Sequence, residues 1–392
     1  MAEGIGVRQW TGRLSALLAA IVLSACSTVV PRQTVQAPPP VQRPADTERV
    51  DAGIPRDVAR NRVALLVPLT GANAGVGSSI ANATQLALLD TNTTQVRVTS
   101  YDTATGAAAA ARRAIDEGAQ LILGPLLADD ARAVGPVARA AGVPVLSFSN
   151  DQGVAGQGTY VMGYTPAQSV ERVVGYARSR GVTSFAGLVP NGLYGERAST
   201  AFLRAVESEG GQVVSLQTYS RTPASVAAAA ARVAAKAPWG AVLIADGGAG
   251  AAAAAGAAKR GSPGARVLGT ELWNAEIGIA ARPQLAGAWF ASVSDTLYRQ
   301  FAAKYRVRFG TGPYRLASLG YDAVLLTVRI ARDWRVGDRF PEARLRDPDG
   351  FAGLDGAFRF AANGVAERAL EVQELRGGQA VVVSPAPARF GR

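Results

Sequence analysis

The sequence predicts a two-lobed α/β protein, each lobe an open, mostly parallel sheet flanked by helices. Three observations predict it. From Arg62 onward, short β-branched or apolar runs alternate with longer alanine-rich amphipathic segments, the pattern of a sheet whose strands are covered on both faces. The alternation runs through twice, in two series of roughly 100 to 125 residues, each the length of one domain. The stretch from Arg62 holds about 330 of the 392 residues, enough for two lobes and short for three.

Ahead of the lobes, Arg8 and Arg13 precede an apolar run from Leu14 to Leu23, and Ser24 and Ala25 lead to Cys26. That order reads as an export signal. The run is far shorter than the roughly 20 residues of a membrane-spanning helix, so 1–25 are expected to be a signal peptide. Cys26 is the single cysteine, which leaves no partner for a disulfide within the chain. Pro31, Pro38, Pro39, Pro40, Pro44 and Pro55 then stand among polar residues. Too little there is apolar to bury a core, so 26–61 are expected to be a tether, averaging about 30 Å end to end as a flexible coil and reaching roughly 100 Å as a polyproline-like chain.

In the first series, Val63 to Val67 reads as a buried strand, Ser78 to Leu89 as a helix and Val96 to Tyr101 as a strand. Helix Ala107 to Glu117, strand Leu121 to Leu123, helix Asp129 to Ala141 and strand Val143 to Phe148 follow. The second series alternates helix Ala167 to Arg180, strand Phe185 to Val189, helix Glu196 to Glu209 and strand Gln212 to Tyr219. It continues with helix Ala224 to Lys236, strand Ala241 to Ala245, helix Ala249 to Lys259 and strand Arg266 to Leu268. Ala317 to Trp334 reads as a further amphipathic helix. Gly356 to Phe360, Leu370 to Leu375 and Ala380 to Val383 read as short strands parted by the turns Asn363-Gly364 and Gly377-Gly378.

Composition excludes much chemistry. The chain has no histidine, which removes the commonest general base, the commonest metal ligand and every Ser-His or Cys-His nucleophile. No catalytic residue, metal or cofactor is expected, and the chain reads as a binding protein rather than an enzyme. The net charge of +11 comes with no nucleic-acid recognition motif, so a nucleic-acid partner is not expected. Much of the excess lies between Arg299 and Arg346, where Arg and Lys outnumber the acids Asp322, Asp333, Asp338 and Glu342. Either it is a solvated helical face, or it contacts an acidic protein face or lipid headgroups.

Leu23-Ser24-Ala25-Cys26 resembles the lipobox of bacterial lipoproteins, which implies a lipid on Cys26; Ser27 behind it implies delivery to the outer membrane. Several later segments resemble the leucine/isoleucine/valine-binding type of periplasmic binding protein, a type I clamshell. They are Val67-Pro68-Leu69-Thr70-Gly71 with Gly75 and Gly77, Leu123-Gly124-Pro125, Gly142 to Ser147, Tyr194-Gly195, Pro313-Tyr314 with Tyr321 to Val324, and Phe351 to Phe360 with Asn363-Gly364. The resemblance implies three hinge crossings, near Tyr160, Trp289 and Arg335. Lobe one would be 62–159 plus 288–334, and lobe two 160–287 plus 335–385.

By the same resemblance, Glu271 falls on an ammonium-binding glutamate and Tyr194 on a cleft tyrosine. The hydroxyl-rich loop that holds a ligand carboxylate is Ala128-Asp129-Asp130 here, so carboxylate would meet carboxylate and branched-chain amino acids would be rejected. The alternative is that both acids serve the following helix. Thr70, Gly71, Asp129, Ser147, Ser149, Asn150, Asp151, Tyr194, Asp246 and Glu271 are the candidate cleft residues. Ser149, Asn150 and Asp151 form either a polar ligand cluster or an Asx turn, and Asp246 with Gly247-Gly248 is equally open. Leu146 to Asp151 with Tyr160 to Pro166 resembles exported penicillin-binding protein activators. A periplasmic lipoprotein that assists a cell-wall synthase is therefore the expected function; the alternative is the substrate-binding lipoprotein of an ABC-type amino-acid or amide importer, with a small molecule in the cleft.

Overall fold

The computed structural model describes residues 60–387 and Phe390, so the export signal, Cys26 and nearly all of the tether lie outside the described residues. β1 (Asn61–Val67) shows how the first lobe is built: Val63, Leu65 and Val67 enter one core, Ala64 and Leu66 the other. Successive strand side chains leave opposite faces. Its sheet is wholly parallel, in the order β2 (Val96–Asp102), β1, β3 (Leu121–Leu123), β4 (Val145–Ser147), β5 (Thr159–Val161). α1 (Ala74–Thr91) covers one face, and α2 (Ala107–Asp116) and α3 (Ala128–Ala141) cover the other with Ala111, Ala114 and Ala138.

The second lobe repeats the scheme through α4 (Pro166–Ser179), β6 (Ser184–Pro190), α5 (Leu193–Ser208), β7 (Gln212–Tyr219), α6 (Pro223–Ala234), β8 (Ala241–Ile244), α7 (Gly248–Ala258), β9 (Arg266–Gly269) and β10 (Trp289–Ser292). Val170, Val173 and Phe202 of α4 and α5 pack on Phe185 and Leu243, while Ala229, Val233 and Ala254 of α6 and α7 pack on Leu188 and Val242. The chain then returns to the first lobe. α8 (Thr296–Phe309) and α9 (Ala317–Ala331) pack on α1. The antiparallel strands β11 (Phe351–Gly353), β12 (Gly356–Phe360) and β13 (Ala366–Arg368) put Phe351, Phe358 and Phe360 into the same core as Val63 and Leu319. Finally β14 (Glu371–Arg376) and β15 (Gln379–Ser384) join the second sheet, in the order β15-β14-β10-β9-β8-β6-β7, with β14 antiparallel to its neighbours.

Two lobe boundaries need correction. Residues 289–292, expected in lobe one, form β10 of the second sheet, paired with Leu268 and Gly269. Residues 335–368, expected in lobe two, stay with lobe one because the aromatic side chains of β11 and β12 are core to it. The crossings therefore lie near Tyr164, Val293 and Ala369, and the third is displaced from Arg335 to the start of β14.

Both lobes use one packing device after their leading strand. β1 ends in Val67-Pro68 and β6 in Val189-Pro190. A glycine in the helix that follows each, Gly77 in α1 and Gly195 in α5, abuts the proline carbonyl. A Cβ there would sit 1.8 Å from the Pro68 oxygen and 1.7 Å from the Pro190 oxygen, so only glycine lets strand and helix approach this closely. Gly77→Ala and Gly195→Ala are each expected to cost about 2–3 kcal/mol in thermal or urea unfolding. Gly256→Ala, where a Cβ meets nothing within 4 Å, should be neutral or stabilise by up to about 1 kcal/mol. Wild-type stability in the first two variants would refute the device.

Candidate functional site

The carboxyl ends of the strands of both sheets face a cavity of about 340 Å³ between the lobes. Lobe one contributes Asn73 just ahead of α1 and Val76 within it, Leu126 and Leu127 ahead of α3, Phe148 and Asn150 after β4, and Arg315 and Leu316 ahead of α9. Lobe two contributes Glu271, Leu272, Asn274 and Ala275 after β9, with Ser292 and Val293 at the second crossing; Tyr164 enters from the first. The walls are mostly aliphatic and aromatic, with a few polar groups set among them, which is the composition of a small-molecule site.

Glu271 is the carboxylate of this cavity. The Tyr194 hydroxyl donates to its Oε1 at 2.9 Å, the Ser169 hydroxyl donates to its Oε2, and Tyr194 also bonds Thr270 at 2.8 Å. Burial pushes the Glu271 carboxyl above the usual range, and the bonds from Ser169 and Tyr194 pull back against it. Two hydroxyls from α4 and α5 thus hold one acceptor in place on the face that lobe one meets.

Beneath the cavity, a buried ionic cluster joins the crossings. Arg315 pairs with Asp355 at 2.8 Å and Asp295 at 3.4 Å, and stacks 4.0 Å over the ring centre of Tyr298. The Tyr164 hydroxyl donates to Asp355 and bonds Ser318 at 2.9 Å. Arg368, at the third crossing, donates to the Met162 carbonyl at 2.6 Å and lies over the Tyr164 ring. Burial alone would raise the Asp355 carboxyl, but Arg315 and Arg368 hold it below its ordinary value. Neighbouring Asp322 is pushed up to about 7, by burial first and by the Asp355 charge second.

A second ionic contact spans the lobes. Asp151, 2 % exposed, accepts from Arg197 of α5 at 3.1 Å and from Arg132 of α3, and also caps the turn at Gly153. One carboxylate of lobe one therefore ties a guanidinium of each lobe.

The sequence-derived candidates divide accordingly. Glu271 and Asn150 line the cavity, and Tyr194 braces Glu271 from behind. Thr70 instead donates to Asp102 at 2.6 Å, and the Gly71 carbonyl accepts from the Ala74 amide at the start of α1; Asn73 and Val76 reach the cavity in their place. Ser147 bonds the Pro125 carbonyl and the Ser149 amide, and Ser149 accepts from the Asp151 amide. Serine hydroxyls thus close the turns at the end of β4, while Asn150 of the same segment lines the cavity.

Asp129 is a correction. Its side chain is 97 % exposed and paired with Arg132 at 2.7 Å in the first turn of α3, so it is not part of the cavity wall; burial and the Asp129 charge raise the Asp130 carboxyl against the pull of the Thr103 hydroxyl. The expected clash of carboxylates has no basis in this geometry. Asp246 is held by Tyr219 at 2.8 Å and Arg221 at 3.0 Å in a separate depression between α6 and α7. Sequence reasoning missed Arg315, Ser169, Tyr164 and Arg197. Arg315 was visible only as one cation in a basic stretch, since Asp355 lies forty residues on.

A family model described as periplasmic binding protein matches residues 61–380. A crystal structure of a putative branched-chain amino acid ABC transporter from Rhodospirillum rubrum superposes with a TM-score of 0.72 at 23% identity, covering 83% of this chain and all of that one. The solute binding protein of an ABC transporter from R. palustris, in complex with benzoate, gives a TM-score of 0.63 at 19% identity over 85% of this chain and 98% of that one. An uncharacterized protein of Rickettsia prowazekii is 24% identical over 166 residues, 42% of this chain; the match spans only 44% of that relative's length.

The tie at Asp151 gives a direct expectation. Arg197→Gln removes the lobe-two arm and leaves Asp151 paired with Arg132, so small-angle scattering should show a larger radius of gyration, while Arg197→Lys keeps the wild-type value. Identical scattering from all three proteins would show that the contact does not hold the lobes together.

Proposed function

Because the chain belongs to the periplasmic binding protein family, we propose that it is a non-enzymatic receptor whose lobes close around a small solute and deliver it to an ABC-type importer. The observation that carries this reading is Glu271, braced by Tyr194 and Ser169 in the interlobe cavity. An acceptor held this way suits an ammonium or another strong hydrogen-bond donor. Val76, Leu126, Phe148, Leu272 and Val293 suit an apolar body. The solute class is thus a compact molecule with a donor head and an apolar remainder, and branched-chain amino acids fall within it. The family and the transporter-derived relatives support this reading over the cell-wall one. The benzoate complex of the R. palustris protein marks how far ligands vary on this fold.

The cell-wall reading keeps one observation in its favour. Ser147, Ser149 and Asp151 spend their polar groups on internal bonds, so lobe one offers a ligand carboxylate no hydroxyl from that strand end. An accessory lipoprotein acting on a penicillin-binding protein would need none. In either case we assign export and membrane attachment to the signal ending at Cys26, at the periplasmic face of the outer membrane by the serine at 27. Two acyl chains there would make attachment lasting, where one gives only marginal binding.

Two experiments test these assignments. In thermal melts, leucine, isoleucine, valine and their decarboxylated amines are the probes. A probe at about 100 times its dissociation constant stabilises by ~2.7 kcal/mol, a shift of roughly 3–5 °C in a domain of this size. Glu271→Gln should abolish the shift. In the wild type it should shrink as pH falls through the raised Glu271 pKa, since the protonated carboxyl no longer attracts an ammonium. No shift with any probe, or a shift untouched by Glu271→Gln, would reject Glu271 as the head-group site. Separately, Cys26→Ala should release the protein from membranes or block its processing; a processed, membrane-bound mutant would reject the anchor.

A further inference from the structure

α8 presents a face that the solute site does not use. Tyr298, Phe301 and Tyr305 turn inward against α1 and α9; Arg299 and Arg306, seven residues apart on one side of the helix, are exposed, as is Arg308 in its last turn. No acidic residue occurs from Thr296 to Tyr321. Of the acids that neighbouring elements bring near, Asp90 of α1 pairs with Lys304, and Glu371 of β14 lies within electrostatic range of Arg299. Arg306 and Arg308 have no ion-pair partner among the described residues. Between them Val307 is 90% exposed, and Leu297 at the other end of the helix is 46% exposed.

Solvation alone would favour a polar residue at 307. A bare valine flanked by two unpaired guanidiniums instead matches an anionic interface, where guanidiniums bind phosphate oxygens in forked pairs and a short apolar side chain enters the headgroup layer. We propose that this face of α8 docks on an anionic phospholipid surface. Charge complementarity selects that occupant.

The test is sedimentation of residues 27–392, which contain every described element, with phosphatidylglycerol-containing vesicles and with phosphatidylcholine vesicles. Binding should require phosphatidylglycerol and weaken with salt. Neutralising Arg299, Arg306 and Arg308 to Gln should lower affinity by about a hundredfold, at roughly 1 kcal/mol for each cation near such a surface. Val307→Asp should weaken binding as well. A control that neutralises exposed Arg112, Arg204 and Arg260 removes equal charge elsewhere and should change affinity by about threefold or less. Equal losses in both triple variants would mean that net charge alone drives binding and would overturn the proposal. So would equal binding to the two vesicle types. Absence of vesicle binding, with retention on immobilised polyglutamate that the α8 triple variant loses, would assign the face to an acidic protein instead. Unchanged melting temperatures in both triple variants exclude unfolding as the cause.

Discussion

The arrangement of the cleft depends on the buried ion pair between Arg315 and Asp355. Taking two charges out of water is costly, and such a pair persists only where further hydrogen bonds complete it. Here Tyr164 of the first passage donates to Asp355, Asp295 beside the second pairs with Arg315, and Arg368 of the third holds the Met162 carbonyl while its charge acts on Asp355. All three passages thus meet around one buried ion pair. Asp322, pushed up to about 7, accepts from the Leu354 amide at 2.6 Å and fixes the turn that presents Asp355.

That constraint explains the division of labour around the cavity. Arg315 forms part of its wall while its charge is already compensated from below, which leaves Glu271 as the acceptor open to a ligand. Tyr194 and Ser169 position Glu271 from two different helices of lobe two, and Asp151 brings a lobe-one carboxylate to Arg197 on one of those same helices. Under the proposed function, closure and recognition would share α5. Movement of that helix changes both the acceptor and the tie between lobes, which is how a solute with differential affinity for the closed form would shift the equilibrium.

Much of this was legible in the sequence, because buried parallel strands leave an unmistakable trace. Runs such as Val63 to Val67 and Ala241 to Ala245 have both faces in a core, so no polar residue interrupts them. β10 escaped because four residues carry no period, and α8 because its inward face is only Tyr298, Phe301 and Tyr305 among cations. The third crossing was misplaced because the aromatic residues of β11 and β12 reveal their lobe only through their packing. At the site, Glu271 and Tyr194 were legible by resemblance. Asp129 misled, since a loop sequence does not say which way a first-turn carboxylate points, and Arg315 stayed hidden because its meaning lies in partners distant along the chain.

We infer that the interlobe cavity holds a small solute by its donor end on Glu271. Native mass spectrometry of the protein isolated without dialysis from the cells that make it, beside its Glu271→Gln variant, measures this most directly. A discrete small-molecule adduct is expected on the wild-type chain and not on the equally folded variant. The same bare mass for both proteins, unchanged after incubation with millimolar apolar amino acids and amines, would contradict it.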